Sequence, residues 1–447
     1  MKIMDTKPHF SELITKWMKS SVSLKLFTIG FIILILLIPS SMIQSIIYER
    51  EGLRREAIYE VSNTWSNAQV VAGPILTIPV ETVRVIDNKT YTQRHQIHIL
   101  PTDYNVNGTL NSKTLSRGIY QIVVYESELK FDGNFNIKKY IAKGMYDNVF
   151  WDEAFLTIGV SDLRGIQQMI QVDWNGSTKE VEAGSLISSI VNSGVTVPLK
   201  GEGLGSKNDY SFSFNLNLQG SENFSIIPLG SETSVDLQSS WSDPSFSGKF
   251  LPDTRTVSDE GFEGNWTILE LNRDFPQSWR DESQYNLSES AFGVKLLLPM
   301  DDYQKTTRSA KYAIMTIGLT FLIFFLVELI NKQRIHPFQY TLVGLALCLF
   351  YILLVSISEH LTFNNAYLVA SVIVISMIVL YSRSVFTRSK LVLALCVTLI
   401  GIYGFVFVTL QLTDSALLLG SIGLAIIIAA TMYLTRNIQW YRTEELE

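Results

Sequence analysis

Apolar positions along the chain gather into long runs on either side of one extended mixed region. The first run covers Leu26–Ile47 and is unbroken from Phe31 to Ile38. Mixed, largely polar sequence follows until Arg308. Five more runs then succeed one another: Tyr312–Ile330, Phe338–Ile357, Phe363–Tyr381, Leu391–Leu412 and Ala416–Leu434. Each is close to the ~20 residues that an α-helix needs to cross a hydrocarbon core. The pattern predicts a membrane α-helical protein with six spans. One lies at residues 26–47 and five within 310–435. A large domain at 48–309 separates them, and short tails occupy 1–25 and 436–447.

Lys16, Lys19 and Lys25 before the first run, with Pro39-Ser40-Ser41 after its unbroken part, also suit a signal peptide. No Ala-x-Ala site is present, and apolar residues resume at Met42, Ile43, Ile46 and Ile47, which favours a retained helix. Lys and Arg in short loops set the orientation. Lys2, Lys7, Lys16, Lys19 and Lys25 precede the first span. Lys332 and Arg334 follow the second, Arg383, Arg388 and Lys390 follow the fourth, and Arg436 and Arg442 follow the last. The alternate loops, Ser358–Thr362 and Thr413–Ser415, hold no Lys or Arg. Both termini are therefore expected in the cytoplasm, with residues 48–309 outside.

Within 48–309 the period changes. Leu53, Ala57, Ile58, Val61, Trp65 and Ala68 recur at helical spacing, with Arg50, Arg54 and Arg55 on the polar side. Beyond Gly73-Pro74 the period becomes two. Ile97 and Ile99 flank His98, and Ile119–Tyr125 reads as a buried strand. From Tyr210 to Leu218 five apolar side chains point one way and Ser, Ser, Asn, Asn the other. Phe155–Val160 and Val294–Leu298 read as further strands. Asn107-Gly108, Asp132-Gly133 and Asn175-Gly176 read as turns between strands. This spacing predicts a β-rich domain, antiparallel and sandwich-like.

Composition sharpens the picture. Charged residues make up 17% of the chain, below the ~25% usual for soluble domains. The net charge of -6 speaks against nucleic acid as a partner. Residues 48–309 carry 23 basic and 34 acidic side chains, which disfavours contact with anionic lipid and leaves open a partner with basic groups. The two cysteines, Cys348 and Cys396, both lie in spans, so the outer domain must stand on its core without a disulfide.

Few residues point to chemistry. Glu359-His360 and Asp414 cap the outer ends of neighbouring helical hairpins. They serve as interfacial polar caps, as a docking point for the outer domain, or in proton or cation handling. Glu328, near the end of its span, is four residues from Lys332 and suits a helical pair. His336-Pro337 opens the next span. Arg164, in Ser161-Asp162-Leu163-Arg164-Gly165, either pairs with Asp162 in a tight turn or faces a ligand. His95 and His98 are an odd number apart in a strand and make poor joint metal ligands. Gly401, Gly404, Gly420 and Gly423 suit close helix packing. Gly201–Ser206 lacks the final glycine of a dinucleotide fingerprint, and no phosphate-binding Gly-Lys loop or Gly-x-Ser-x-Gly elbow occurs.

Several stretches resemble one family. They include Gly73-Pro-Ile-Leu-Thr-Ile-Pro79, Ser161-Asp-Leu-Arg-Gly-Ile166 and Trp241-Ser-Asp-Pro-Ser-Phe-Ser-Gly-Lys-Phe-Leu-Pro252. Arg308-Ser-Ala-Lys-Tyr-Ala313, His336-Pro-Phe-Gln-Tyr340 and Ser358-Glu-His360 continue the series. Asp414-Ser-Ala-Leu-Leu-Leu-Gly420 and Thr435-Arg-Asn-Ile-Gln-Trp-Tyr441 complete it. Together they resemble the CreD family of bacterial inner-membrane proteins over nearly the whole chain. The resemblance implies a place in the cell inner membrane, with residues 48–309 in the periplasm. It also implies a role in cell envelope integrity, envelope-stress response and colicin tolerance. It brings no catalytic residue.

The expected function is interaction or scaffolding for the envelope, without catalysis, cofactor or metal. The expected partners are the lipid bilayer and an envelope protein or cell-wall component. The alternative is a small-solute or proton-coupled transporter using the helical bundle. The spans carry almost no midplane charge and no paired broken helices, which weighs against it.

Overall fold

The computed structural model describes residues 22–281, 285–296, 302–331, 335–386, 388–412 and 416–436. The chain divides into two compact units, Arg54–Pro299 and Met1–Leu53 with Met300–Glu447. Asp414, Lys332 and the tail lysines before Val22 lie outside the described residues.

The first unit is built on two sheets. One runs Pro244–Gly248, Phe292–Leu296, Asn223–Ile226, Gln69–Ile86, Phe155–Val160, Gly194–Pro198 and Glu182–Ala183. Lys89–Ile99 and Asn148–Val149 also pair with Gln69–Ile86, and Ser278–Arg280 pairs with Lys89–Ile99. The other runs Thr254–Ser258, Gly261–Leu269, Glu232–Ser239, Asp103–Arg117, Tyr120–Asn136, Asp209–Ser221, Val172–Trp174 and Ser177–Lys179.

Both sheets are mixed, which corrects the antiparallel expectation. Gln69–Ile86 runs parallel to Asn223–Ile226, and Asp103–Arg117 parallel to Glu232–Ser239. Alternation of polar and apolar residues specifies which face is buried but not strand direction. Partners this far apart in sequence have connections long enough for either sense.

The buried faces of the two sheets share one core. Tyr125 Oη donates to the Asn223 carbonyl at 2.8 Å, linking a strand of each sheet. Trp266 meets Phe292 with ring centres 5.5 Å apart, and Phe246 meets Trp266 at 5.8 Å.

Two of the three expected turns fall inside strands. Asn107-Gly108 lies within Asp103–Arg117 and Asp132-Gly133 within Tyr120–Asn136. Crowding explains these glycines. A Cβ on Gly133 would stand 2.0 Å from the Asp103 carbonyl, and one on Gly108 would stand 2.6 Å from Leu129. Asn175-Gly176 is a true hairpin turn, with φ of 53° and 87° as a mirror-type turn needs. The hairpin of Gln69–Ile86 and Lys89–Ile99 turns at Asp87-Asn88 in the same left-handed region.

The second unit is helical. Its helices are α1 (Val22–Trp65, ending in the other unit), α2 (Asp302–Lys311), α3 (Ala313–Ile330), α4 (Pro337–Ser358), α5 (Phe363–Val385), α6 (Ser389–Gln411) and α7 (Ala416–Thr435). By length and apolarity α1, α4, α5 and α6 suffice to cross a membrane. The pair α2–α3, bent by 45°, adds a fifth. The apolar stretch of α7, Leu418–Tyr433, is shorter. Among the described residues, four or five such helices therefore stand where six spans were expected. Proline is no barrier in α1, which continues through Pro39 to Trp65. The helical reading of Leu53–Trp65 is thus an extension of the first apolar helix.

Close helix packing is found at one of the expected glycines, Gly423, where a Cβ would stand 2.2 Å from Phe405 of α6, and at one other. A Cβ on Gly344 of α4 would stand 2.2 Å from Leu36 of α1. Gly401, Gly404 and Gly420 face open space. Small residues permit close approach only where a neighbouring helix lies on that side.

Candidate functional site

Three polar clusters deserve comparison, two in the β-rich unit and one in the helical unit. The first surrounds Arg164. Leu163–Gly165 forms one 3-10 turn, with Asp162 before it accepting the Arg164 N–H at 3.2 Å. The Asp162 carboxylate also accepts from Arg164 Nη2 at 2.6 Å and from the Asn67 N–H at 3.0 Å. These donors, Arg164 foremost, hold its carboxyl well below the usual carboxylate range. Arg164 Nη1 donates to the Asn63 carbonyl in the last turn of α1, where a cation suits the exposed carbonyl ends.

Gln69 lies beneath this turn, fully buried. Its Nε2 meets Ser66 Oγ at 2.9 Å, the Asp162 carbonyl at 3.0 Å and the Gln219 carbonyl at 2.9 Å. Its Oε1 accepts from Ser161 Oγ and the Asp162 N–H, both at 3.2 Å. Arg164 and its neighbours thus tie the end of α1 to both sheets.

The second cluster is a cleft of about 700 Å³ containing Arg94, His95, His98, Glu153 and Asp281. Both histidines line it, yet they engage different groups. His95, 6% exposed, holds its Nδ1 2.7 Å from Asp281 Oδ2. Asp281 is fixed by its own exchange with Gln96, accepting that N–H at 3.0 Å and returning its N–H to the Gln96 carbonyl at 2.8 Å. Arg94 pairs with Glu153. His98 Nδ1 lies 3.0 Å from Thr77 Oγ1. Among the described residues no group of three or more His, Cys, Asp or Glu is placed to hold a metal ion.

Burial lowers the pKa of His98 from 6.5 to about 4, against the opposing pull of Asp281. The fold therefore resists a proton that the unfolded chain accepts below 6.5. This contribution to stability is full above pH 6.5 and falls away as pH drops toward 4. Thermal unfolding of a His98→Gln variant is expected to vary less with pH across that window than the parent. Parallel profiles would show that His98 does not set the dependence.

The third cluster is in the helical unit. Glu328 on α3 is 4% exposed. It accepts from Lys25 Nζ on α1, from the Ile335 N–H at 3.1 Å and from Tyr340 Oη on α4 at 3.0 Å. Its ion-pair partner is thus Lys25, 303 residues away, where the sequence suggested Lys332. His336 caps α4, its Nδ1 accepting the Phe338 N–H at 3.2 Å, with Pro337 in the first turn. Glu359, just past α4, pairs with Arg50 of α1 at 3.2 Å. His360 beside it is exposed, its N–H bonded to the Ile357 carbonyl at 3.0 Å. Asp414, the remaining member of the expected cluster, is outside the described residues.

Comparison with known proteins places the chain in a family. The family model for Inner membrane protein CreD matches residues 21–441. The chain belongs to the CreD family. The Inner membrane protein CreD of Escherichia coli (strain K12) is 34% identical over 431 residues, covering 95% of each chain. Membership and the apolar helices together make this CreD-family chain a multi-pass inner-membrane protein.

Sequence reasoning about this CreD-family chain missed Gln69, Asp281 and the role of Lys25. Asp281 lies 186 residues from His95, and Gln69 lies 150 from Gln219. No local spacing signals partners at such distances.

Proposed function

We propose that the chain supports cell envelope integrity and the envelope-stress response by interaction, with the β-rich unit as its interacting part. Six crossings then place both termini in the cytoplasm and the β-rich unit in the periplasm, as the distribution of Lys and Arg favours. Neither catalysis nor a cofactor enters this reading.

The observation that carries it is where the charged groups are engaged. Glu328 accepts from Lys25 and Tyr340, Glu359 pairs with Arg50, and Arg164 binds Asp162 and the end of α1. Each is committed to holding the fold, which leaves the broad polar surface of the β-rich unit for recognition.

Deletion of the chain from its host tests the role. Detergent and β-lactam sensitivity are expected to rise and to return to normal with the full-length chain. Unchanged sensitivity would remove the envelope reading.

A further inference from the structure

The outward face of the second sheet is polar across the centre of its five longest strands, with Leu269 at one rim and the buried Ile122 and Val124 toward the other. Along Asp103–Arg117 the buried residues Tyr104, Val106 and Leu110 alternate with Asp103, Asn105, Asn107 and Thr109. Tyr120–Asn136, Asp209–Ser221, Glu232–Ser239 and Gly261–Leu269 keep the same alternation beside it. Register brings the outward residues into rows. One row reads Asn265, Asp236, Asn107, Lys130, Asn215. The next reads Thr267, Ser234, Asn105, Asp132, Ser213.

The charge on these rows is one-sided. On these rows and the row to either side, Asp103, Glu128, Asp132, Glu232, Asp236 and Glu263 stand with Lys130, and beyond them the same side of Asp103–Arg117 carries Lys113, paired with Glu126, and Arg117. The carboxylates are held in place. Asn105 Nδ2 donates to Asp132 at 3.0 Å, and Asn265 donates to Asp236. Three hollows open along the same face. The first, about 450 Å³, is lined by Asp103, Asp132 and Glu232. The second, about 270 Å³, is lined by Asp236 and Glu263, and the third, about 390 Å³, by Lys130 and Asp173.

We propose that this face docks a basic polypeptide segment of an envelope partner. The inference rests on the reading of the β-rich unit as the interacting part, and it names the surface and the partner's chemistry. Charge complementarity selects a cationic partner and repels anionic lipid. The central rows, from Glu232 and Asp103 to Glu263 and Glu128, carry no aromatic side chain, and aromatic anchors are what hold tight interfaces together. Association is therefore electrostatically steered, weak and sensitive to salt. The same lack of rings leaves a sugar chain nothing to stack on.

The test uses the full chain in nanodiscs of zwitterionic lipid, with fluorescently labelled octalysine as probe and anisotropy as readout. Octalysine is expected to bind, and added salt to weaken it. The variant Asp132→Asn, Glu232→Gln, Asp236→Asn keeps side-chain shape and is expected to bind about tenfold more weakly. A control removing three exposed acids elsewhere, Glu182→Gln, Asp243→Asn, Glu289→Gln, is expected to bind as the parent does. Unfolding temperatures of both variants report whether the fold is intact. No binding of octalysine, or equal losses in both variants, overturns the proposal. So does binding of a neutral chitin oligosaccharide that the first variant abolishes. If octalysine fails while deletion still sensitises the host, the cation preference alone falls. If deletion has no effect, the reading beneath it falls.

Discussion

Replacing Glu328 by alanine is expected to destabilise the helical unit by about 3 kcal/mol, the loss typical of breaking a buried, hydrogen-bonded ion pair. The carboxylate gathers donors from three segments: Lys25 on α1, the Ile335 N–H, and Tyr340 on α4. Alanine leaves all three without their acceptor in an environment poor in water. Lys25 is 37% exposed and can turn to solvent, which keeps the loss at the lower end. Glu328→Gln still accepts from Ile335 and Tyr340 and loses only the charge, so its loss is smaller. Thermal unfolding in detergent checks the order, parent above Glu328→Gln above Glu328→Ala. Adding Lys25→Met to Glu328→Ala is expected to cost little more, because the shared interaction is already gone. Full additivity of the two would contradict the pairing.

The second large effect is expected at Gly165. A Cβ there would stand 2.4 Å from the Gln219 carbonyl and 2.4 Å from Gln69 Nε2. The carbonyl belongs to a paired strand and the amide to the hydrogen-bonded centre of the cluster, so neither yields cheaply. Overpacking together with displaced buried hydrogen bonds makes Gly165→Ala cost about 3 kcal/mol or more. Loss of protease resistance in the β-rich unit is the readout. Gly401→Ala is the contrasting case, since its Cβ meets nothing within 4 Å inside a helix, and it is expected to be neutral or slightly stabilising. Equal protease resistance in parent and Gly165→Ala would show that the turn can shift aside.

Legibility in the sequence followed the range of each interaction. Local periodicity carried far. Phe155–Val160 and the alternating strand around Tyr210–Leu218 stand where the period of two placed them. Helical spacing from Leu53 to Trp65 appears as the last part of α1. Turn chemistry was legible at Asn175-Gly176 and misleading at Gly108 and Gly133. There the absent side chain makes room for Leu129 and for the Asp103 backbone. A glycine needed for space and one needed for a left-handed turn look alike in one dimension.

Pairings between distant segments left no trace. Glu328 had a nearby candidate in Lys332, but the structure gives it Lys25. The parallel neighbours Asp103–Arg117 and Glu232–Ser239 share an alternation that antiparallel neighbours would share equally. The polar face of the second sheet was half visible. The outward Ser and Asn of one strand were legible, but not that four neighbours carry the same pattern in register.

Which unit carries the function is decided by rescue of the deleted host with two full-length variants at matched membrane levels. One carries Asp132→Asn, Glu232→Gln and Asp236→Asn on the sheet face, the other Glu359→Gln and Asp414→Asn among the helices. Recognition through the β-rich unit predicts that the helical variant restores detergent and β-lactam resistance and the sheet variant does not. Rescue by the sheet variant with failure of the helical one would contradict the account and move the function into the helices.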